Sequence, residues 1–240
     1  MTPLRVTAVE AGYVRDLPIL HNVDLVAEPA KVTVIIGPNG AGKSTLIKAI
    51  AGLVPISAGQ VKLGDQDITG IRPDLMAANG LAYVPQTDNI FRHLTIGENL
   101  GLVLRKSTDA IARREELLDL FPDLRAKTRE RAAALSGGQR QMLAVAMALA
   151  NRPEVVLLDE PSAGLSPKIA TEVLDLVRSL TGQGVTVVLV EQNVKQALRV
   201  ADHCYILAEG RNQIDGPAAE IAADPVVGEI YLGGKRTVPA

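Results

Sequence analysis

The sequence predicts an α/β fold built on a parallel sheet, and three observations carry that expectation. Short β-branched runs alternate with helical segments over most of the 240 residues. The strongest strand candidates, residues 155–158 and 185–190, are apolar along nearly their whole length, as in a parallel sheet covered on both faces. One of them runs straight into a glycine-rich stretch, residues 37–42, which a helix pattern follows at once. A long block, residues 95–150, holds almost no strand signal and interrupts the alternation, so it reads as an inserted helical lobe.

Taken in order, Lys31-Val32-Thr33-Val34-Ile35-Ile36 is the first strand of this type, and residues 43–52 form the helix after it. Val61-Lys62-Leu63 and Gln66-Asp67-Ile68 flank Gly64-Asp65 as a short hairpin. Leu81-Ala82-Tyr83-Val84 is a strand stopped by Pro85, and the helical block that follows includes the charged segment 109–120. Strand character returns at residues 155–158 and 185–190, with a helix near 167–180 between them. Cys204-Tyr205-Ile206-Leu207 and Gln213-Ile214 suggest a closing hairpin around Glu209-Gly210. The expected division is an α/β core with an antiparallel β subdomain over 1–94 and 151–233, a helical lobe over 95–150, and a frayed tail over 234–240.

Composition narrows the function classes. Hydrophobic residues make up 47% and charged residues 22%, and there are 21 Gly and 14 Pro, ordinary for a globular chain. No apolar run approaches the roughly 18 residues that span a bilayer. Met1-Thr2-Pro3-Leu4-Arg5 lacks the apolar core of a signal peptide. A net charge of −2, 2% aromatic residues and no Trp argue against nucleic acid as a partner. The single cysteine, Cys204, excludes a disulfide scaffold. A soluble cytosolic protein is expected.

Gly37-Pro38-Asn39-Gly40-Ala41-Gly42-Lys43-Ser44 satisfies G-x-x-x-x-G-K-[ST] between a strand and a helix, where that motif must sit. Glycines let successive N–H groups face one concavity, and the helix start adds the positive end of its dipole. Lys43 can reach the β- and γ-phosphates of a nucleotide, and the Ser44 hydroxyl can ligate Mg²⁺. Far along the chain, Val155-Val156-Leu157-Leu158-Asp159-Glu160 is an apolar strand ending in two carboxylates. Beside a phosphate loop, Asp159 would hold Mg²⁺ and Glu160 would polarise the attacking water.

A second phosphate-binding helix start lies at Leu135-Ser136-Gly137-Gly138-Gln139. Ser136 can cap the helix, and the glycines leave backbone N–H groups bare. About 17 residues of helix, roughly 25 Å at 1.5 Å per residue, would separate it from the next strand. It is therefore expected to serve a nucleotide on another chain, in a two-fold head-to-tail dimer.

At these residues the chain resembles the ABC-type ATPases over nearly its whole length. Residues 135–139 match that family's LSGGQ signature, 37–44 its Walker A motif, 155–159 its Walker B motif and Glu160 its catalytic glutamate. The resemblance implies a P-loop NTPase core of the RecA-like type, with ATP and Mg²⁺ as its ligands. It makes Gly37, Pro38, Asn39, Gly40, Ala41, Gly42, Lys43, Ser44, Thr45 and Asp159 nucleotide-binding, together with Ser136, Gly137, Gly138 and Gln139. Gln86 matches the Q-loop, a further Mg²⁺ contact that senses the transporter partner, and Tyr13 the aromatic that stacks on adenine. Residues 162–166 look like the D-loop that crosses the dimer.

Two departures stand out. Gln192 occupies the place of the usual switch histidine; its amide can donate to a γ-phosphate oxygen but carries no proton charge. Glu28-Pro29-Ala30-Lys31 replaces a usual Gly-Glu and is expected to alter only a turn. Val190-Glu191-Gln192-Asn193, Gly216-Pro217-Ala218-Ala219-Glu220 and Tyr231-Leu232-Gly233 are similar to one branch, the second ATPase of branched-chain amino-acid (LIV-type) importers.

Several residues keep a plain structural reading beside the functional one. Gln192 reads either as the switch or as a cap for the helix near Asn193. Tyr13 reads as an adenine platform or as a packed or surface aromatic, and residues 89–99 as a docking surface or as a connecting loop and first helical turn. The run Arg113-Arg114-Glu115-Glu116 reads as a solvated helix face, and Cys204 as a core thiol. His21, His93 and His203 share no ligand spacing, so no metal site beyond Mg²⁺ is expected.

The resemblance implies an ATP-hydrolysing motor on the cytoplasmic side of the cell membrane, driving permease subunits on separate chains. It would pair with a second copy or a paralogous ATPase, and it would serve a periplasmic or extracellular solute-binding protein indirectly. The alternatives are a related amide or urea importer, or a soluble ABC ATPase outside transport.

Overall fold

A computed structural model of the chain describes residues 2–14, 16–87, 89–225 and 227. The expected tail, 234–240, and Tyr231-Leu232-Gly233 lie outside the described residues. Among the described residues, no helix is long and apolar enough to cross a membrane.

Two sheets form the frame. The larger is built from β3 (Val32–Ile36), β6 (Leu81–Val84), β7 (Val155–Asp159), β8 (Thr186–Val190), β9 (His203–Ala208) and β10 (Arg211–Pro217), in the order β10-β9-β3-β8-β7-β6. All neighbours are parallel except the β9–β10 hairpin at the edge. The smaller sheet is antiparallel, with β1 (Leu4–Ala11), β2 (Leu20–Ala27), β4 (Ile56–Leu63) and β5 (Gln66–Asp67) in the order β2-β1-β4-β5.

The apolar strands serve two cores by side-chain alternation. Val34, Ile36, Val156, Leu158, Val187 and Leu189 face one, packed by α5 (Gly137–Ala148), α6 (Pro167–Ser179) and α7 (Val194–Val200). Ile35, Val155, Leu157, Val188 and Val190 face the other, where α1 (Lys43–Ile50) brings Leu46, Ile47 and Ile50 against the antiparallel sheet. Each such side chain contributes about 1.5–3 kcal/mol relative to exposure, so the sheet fixes its own register.

The antiparallel sheet contains strands that the residue pattern concealed. Its register slips between Val6 and Val9, where Ala8 takes φ 50°. The Asp24 carboxylate accepts the Ala8 N–H at 2.9 Å. The slip adds one residue to the apolar alternation, which hides the strand from a period-2 search. The turn before β3 sets Ala30 at φ 54° and ties its N–H to the Thr186 hydroxyl at 3.0 Å. The substitution of Pro-Ala for the usual residues is thus absorbed in a turn.

The block from 95 to 150 is helical, with α2 (Ile96–Leu104), α3 (Ala110–Leu120), α4 (Pro122–Arg125) and α5. Two expectations need correction there. α5 is 12 residues long, about 18 Å, because the chain tightens at Leu149–Asn151 and reverses at Arg152 with φ 49°. The charged run of α3 is not simply a solvated face. The Arg113 side chain is largely buried and donates to the carbonyls of Leu149 and Ala150, capping the end of the α5 segment. Arg152 then binds Asp109 and Glu116 from outside.

Segment 89–99 is a loop that runs into the first turn of α2. Asn99 is fully buried, accepts the Phe91 N–H at 2.8 Å and donates to the Phe91 and Thr95 carbonyls. Thr95 and Glu98 form a capping box at the start of α2.

Cys204 is fully buried in β9, and burial pushes its thiol up to about 12. The folded chain should therefore resist thiol-specific labelling at pH 8, with one equivalent reacting only in denaturant. Rapid labelling of the native chain would contradict this burial.

Candidate functional site: a carboxylate cluster beside the phosphate loop

The C-terminal ends of β3, β7 and β8 lie side by side, because Ile35 and Asp159 both pair with Val190. Everything chemical follows from that layer. After β3 the chain curls through Gly37 at φ 148°. A Cβ there would stand 2.0 Å from the Leu207 carbonyl oxygen, so only glycine lets the loop pass. Pro38, Asn39 and Gly40 are exposed, while Ala41, Gly42, Lys43 and Thr45 are buried. The Gly210 N–H holds the Ala41 carbonyl at 3.0 Å, anchoring the loop from the β9–β10 turn.

Lys43 turns back into this loop and donates to the carbonyls of Gly37 and Pro38 at 2.9 and 3.0 Å. Burial lowers its pKa, while the charges of Glu160 and Asp159 oppose that shift. The ammonium is thus held at the mouth of the loop. Residues 39–45 and Glu160 line a depression of about 370 Å³ in front of it.

Ser44 donates to Asp159 Oδ1 at 2.9 Å, and the Tyr83 hydroxyl donates to Asp159 Oδ2 at 3.3 Å. A hydroxyl and a carboxylate this close form a hard-oxygen pair, the donor set that suits Mg²⁺. Such an ion would supply positive charge to bridging phosphate oxygens. The residues present fit that group.

Glu160 follows with φ 49° and its N–H on the Val190 carbonyl at 2.9 Å. This left-handed turn swings the carboxylate off the strand axis. Gln86 Nε2 and Gln192 Nε2 each donate to Glu160 Oε2 at 2.8 Å. The sequence places Gln192 beside the γ-phosphate of a nucleotide; in this structure its amide holds the neighbouring Glu160 carboxylate. The capping alternative for Gln192 is overturned, because Asn193 is the N-cap of α7 and its side chain accepts the Gln196 N–H at 3.1 Å.

Ser136 caps α5 in a reciprocal box with Gln139. Gly138 lets that helix meet α6, since a Cβ would stand 2.3 Å from Ile169. Gly137 shares a cavity of about 240 Å³ with Gln86, Arg140, Gln141 and Glu160, and no residue of 37–44 lines it. Glu160 therefore borders both the phosphate-loop depression and the helical-lobe cavity. Tyr13 is 56% exposed and stands ahead of β2, so it is not packed into a core.

With that geometry in place, comparison with known proteins decides the family. The ABC transporter family profile matches residues 20–163, more than half of the chain. The chain belongs to the ABC transporter family. As an ABC ATPase it binds and hydrolyses ATP. It is 43% identical to the probable branched-chain amino acid transport ATP-binding protein LivF of Archaeoglobus fulgidus, over 96% of this chain and 98% of that one. It is 36% identical to the high-affinity branched-chain amino acid transport ATP-binding protein BraG of Pseudomonas aeruginosa, over 92% and 96%. The lipopolysaccharide export system ATP-binding protein LptB of Escherichia coli K12 is 33% identical over 90% and 91%. Among solved structures, the ADP conformation of MJ1267, an ATP-binding cassette of an ABC transporter, superposes with a TM-score of 0.84 at 28% identity. It covers 98% of this chain and 100% of that one. The ADP- and phosphate-bound dimer of the cassette MJ0796 gives 0.76 at 26% identity, covering 90% and 98%.

Two side chains of this ABC ATPase escaped the sequence reading. Tyr83 was legible only as strand, although it directly precedes Val84-Pro85-Gln86 and reaches Asp159. Glu191 was read only as part of a similarity, although it directly follows β8 as Glu160 directly follows β7. Both had a signal: a polar residue at or next to the C-terminal end of a buried strand.

The capping assignment predicts a clean separation. Asn193→Ala should lower stability by about 1 kcal/mol, whereas Gln192→Ala should leave the unfolding midpoint near wild type. Urea melts of both variants check this, and a larger loss in Gln192→Ala would contradict it.

Proposed function

We propose that this ABC ATPase is the motor subunit of a branched-chain amino-acid importer. It would act as a peripheral subunit on the cytoplasmic face of a membrane, bound to permease subunits on separate chains. The observation that carries the cargo is the 43% identity to the Archaeoglobus LivF protein over almost the full length of both chains. The 36% identity to BraG supports the same cargo. The export ATPase LptB is less similar, at 33%.

In this reading the core is 1–94 with 151–233 and the signature lobe is 95–150. The loop 37–45, through its N–H groups other than at Pro38, and the Lys43 ammonium bind the β- and γ-phosphates of ATP. Ser44 and Asp159 would hold Mg²⁺, with Gln86 as a further candidate ligand, and the ion would supply positive charge to the phosphates. Tyr13 stacks on adenine. Glu160 accepts the proton of the attacking water, and Gln192 orients that carboxylate and the γ-phosphate by an uncharged amide. Ser136, Gly137, Gly138 and Gln139 bind the γ-phosphate on a second ATPase, either a copy or a paralogue, in a head-to-tail pair. Their separation from residues 37–44 supports this arrangement, as does the likeness to a cassette solved as a dimer. A solute-binding protein would act through the permease.

Lys43→Ala should abolish tight ATP binding, while Glu160→Gln should keep binding and slow hydrolysis by about 10²–10⁴-fold. Unchanged affinity in Lys43→Ala by nucleotide titration would remove the phosphate-loop role.

Glu160→Gln should also sediment as a dimer with ATP and Mg²⁺ and as a monomer with ADP, since the γ-phosphate is the shared group. The cargo is tested by reconstituting the chain with its permease. Leucine uptake driven by ATP supports it, and uptake limited to amides or urea overturns it.

A further inference from the structure

Glu191 is a buried carboxylate that the reading above leaves without a task. It is 2% exposed, and burial raises its pKa, with the Glu160 charge acting in the same direction. Among the described residues, no salt bridge reaches it. A buried carboxylate without a counter-cation is costly, and an apolar residue here would be cheaper for stability alone.

Its hydrogen bonds show where that cost goes. Oε1 accepts the Ser162 N–H at 3.0 Å, and Oε2 accepts the Ser162 hydroxyl at 2.8 Å. Oε2 also accepts the Gln192 N–H at 3.3 Å. The Glu191 N–H donates to the Ile35 carbonyl at 3.3 Å, beside the start of the phosphate loop. One side chain therefore clasps the loop two residues after Glu160 to the backbone of the residue whose amide holds Glu160. A cavity of about 220 Å³ borders Glu160, Ser162, Glu191 and Gln192, so packing alone does not fix these loops.

We propose that Glu191 is a positioning residue for hydrolysis, its carboxylate clasping Ser162 to Gln192 so that Glu160 is presented to water in one orientation. This rests on the reading of Glu160 as the base. Glu191 touches no reacting atom; it acts through the two loops. A glutamine can keep an acceptor for the Ser162 N–H and donate to its hydroxyl, while alanine removes every arm of the clasp.

The test compares Glu191→Ala, Glu191→Gln and Ser162→Ala in the full chain. Hydrogen exchange over residues 160–165 is followed without nucleotide, and kcat and KM are measured with ATP and Mg²⁺. Glu191→Ala should lower kcat by about 10–100-fold with KM within about threefold. Exchange at the Ser162 amide should rise by about tenfold or more. Glu191→Gln should restore most of the protection and bring kcat to within about fivefold of wild type. A lower unfolding midpoint with unchanged kcat and unchanged exchange would make Glu191 merely structural and overturn the proposal. Equal losses in the alanine and glutamine variants would also overturn it. If Glu191→Ala does not fold, Ser162→Ala decides. A kcat about three- to tenfold lower at unchanged KM supports the clasp, and an unchanged kcat overturns it. Glu160→Gln separates the two readings. Wild-type turnover there would remove Glu160 as base, while the exchange results would still report on the clasp.

Discussion

Strand β8 lies between β3 and β7 with Val190 opposite Ile35 on one side and Asp159 on the other. That register governs the whole site. The three strands are buried along their length, so no polar side chain can be placed within them without cost. Chemistry gathers at the strand ends and in the residues just beyond. In one layer the chain passes from Ile36 to Gly37, from Leu158 to Asp159 and Glu160, and from Val190 to Glu191 and Gln192. β6 ends in the same layer and delivers Tyr83 and Gln86. A slip of one residue in β8 would turn its apolar set to the wrong core and carry Gln192 away from Glu160.

The electrostatics of this layer are lopsided. Asp159, Glu160 and Glu191 are three buried carboxylates at these strand ends, and the charge of Lys43 couples to Asp159 and Glu160. Lys43 spends its donors on its own loop, and amides rather than cations hold Glu160. An anionic nucleotide entering here meets like charge. A divalent ion on the Ser44 and Asp159 oxygens offsets that repulsion, which is why the proposed reading needs Mg²⁺ as well as the phosphate loop. A neutral amide at position 192 can let go of Glu160 without changing the charge of the layer, whereas a protonated imidazole would add one.

What the sequence made legible and what it hid divide along physical lines. β3, β7 and β8 were plain because strands buried on both faces must be apolar throughout, and the phosphate loop because Lys43-Ser44 sits in register after a strand. The β1–β2 pair was obscure because the irregularity at Ala8 breaks the alternation, and the Asp24 side chain that stabilises it lies 16 residues away. Arg113 looked solvated because its neighbours on the chain are charged, yet its partners are carbonyls 36 and 37 residues on. Gln192 was read against its neighbour in sequence and against a family pattern. Its partner, Glu160, is supplied by a different strand. The residues of the site could be found from motifs, but their hydrogen bonds to one another belong to the tertiary fold.

Those bonds also bear on how the lobe and the core communicate. Gln86 lies between β6 and the loop leading to α2, and Asn89 in that loop donates to Pro85 and to Gln141 of α5. The signature helix is therefore tied, through Asn89, to the segment that holds Gln86 on Glu160. Gln192 contacts the same oxygen from the core side, with Ser162 fastened behind it. Glu160 Oε2 is the point where both connections end. A rotation of the lobe against the core must either carry the carboxylate with Gln86 or leave it on Gln192 alone. Either outcome removes one of the two amide hydrogen bonds that hold the carboxylate. If Glu160 is the base, as proposed, a displacement of the lobe would reach it through these hydrogen bonds alone.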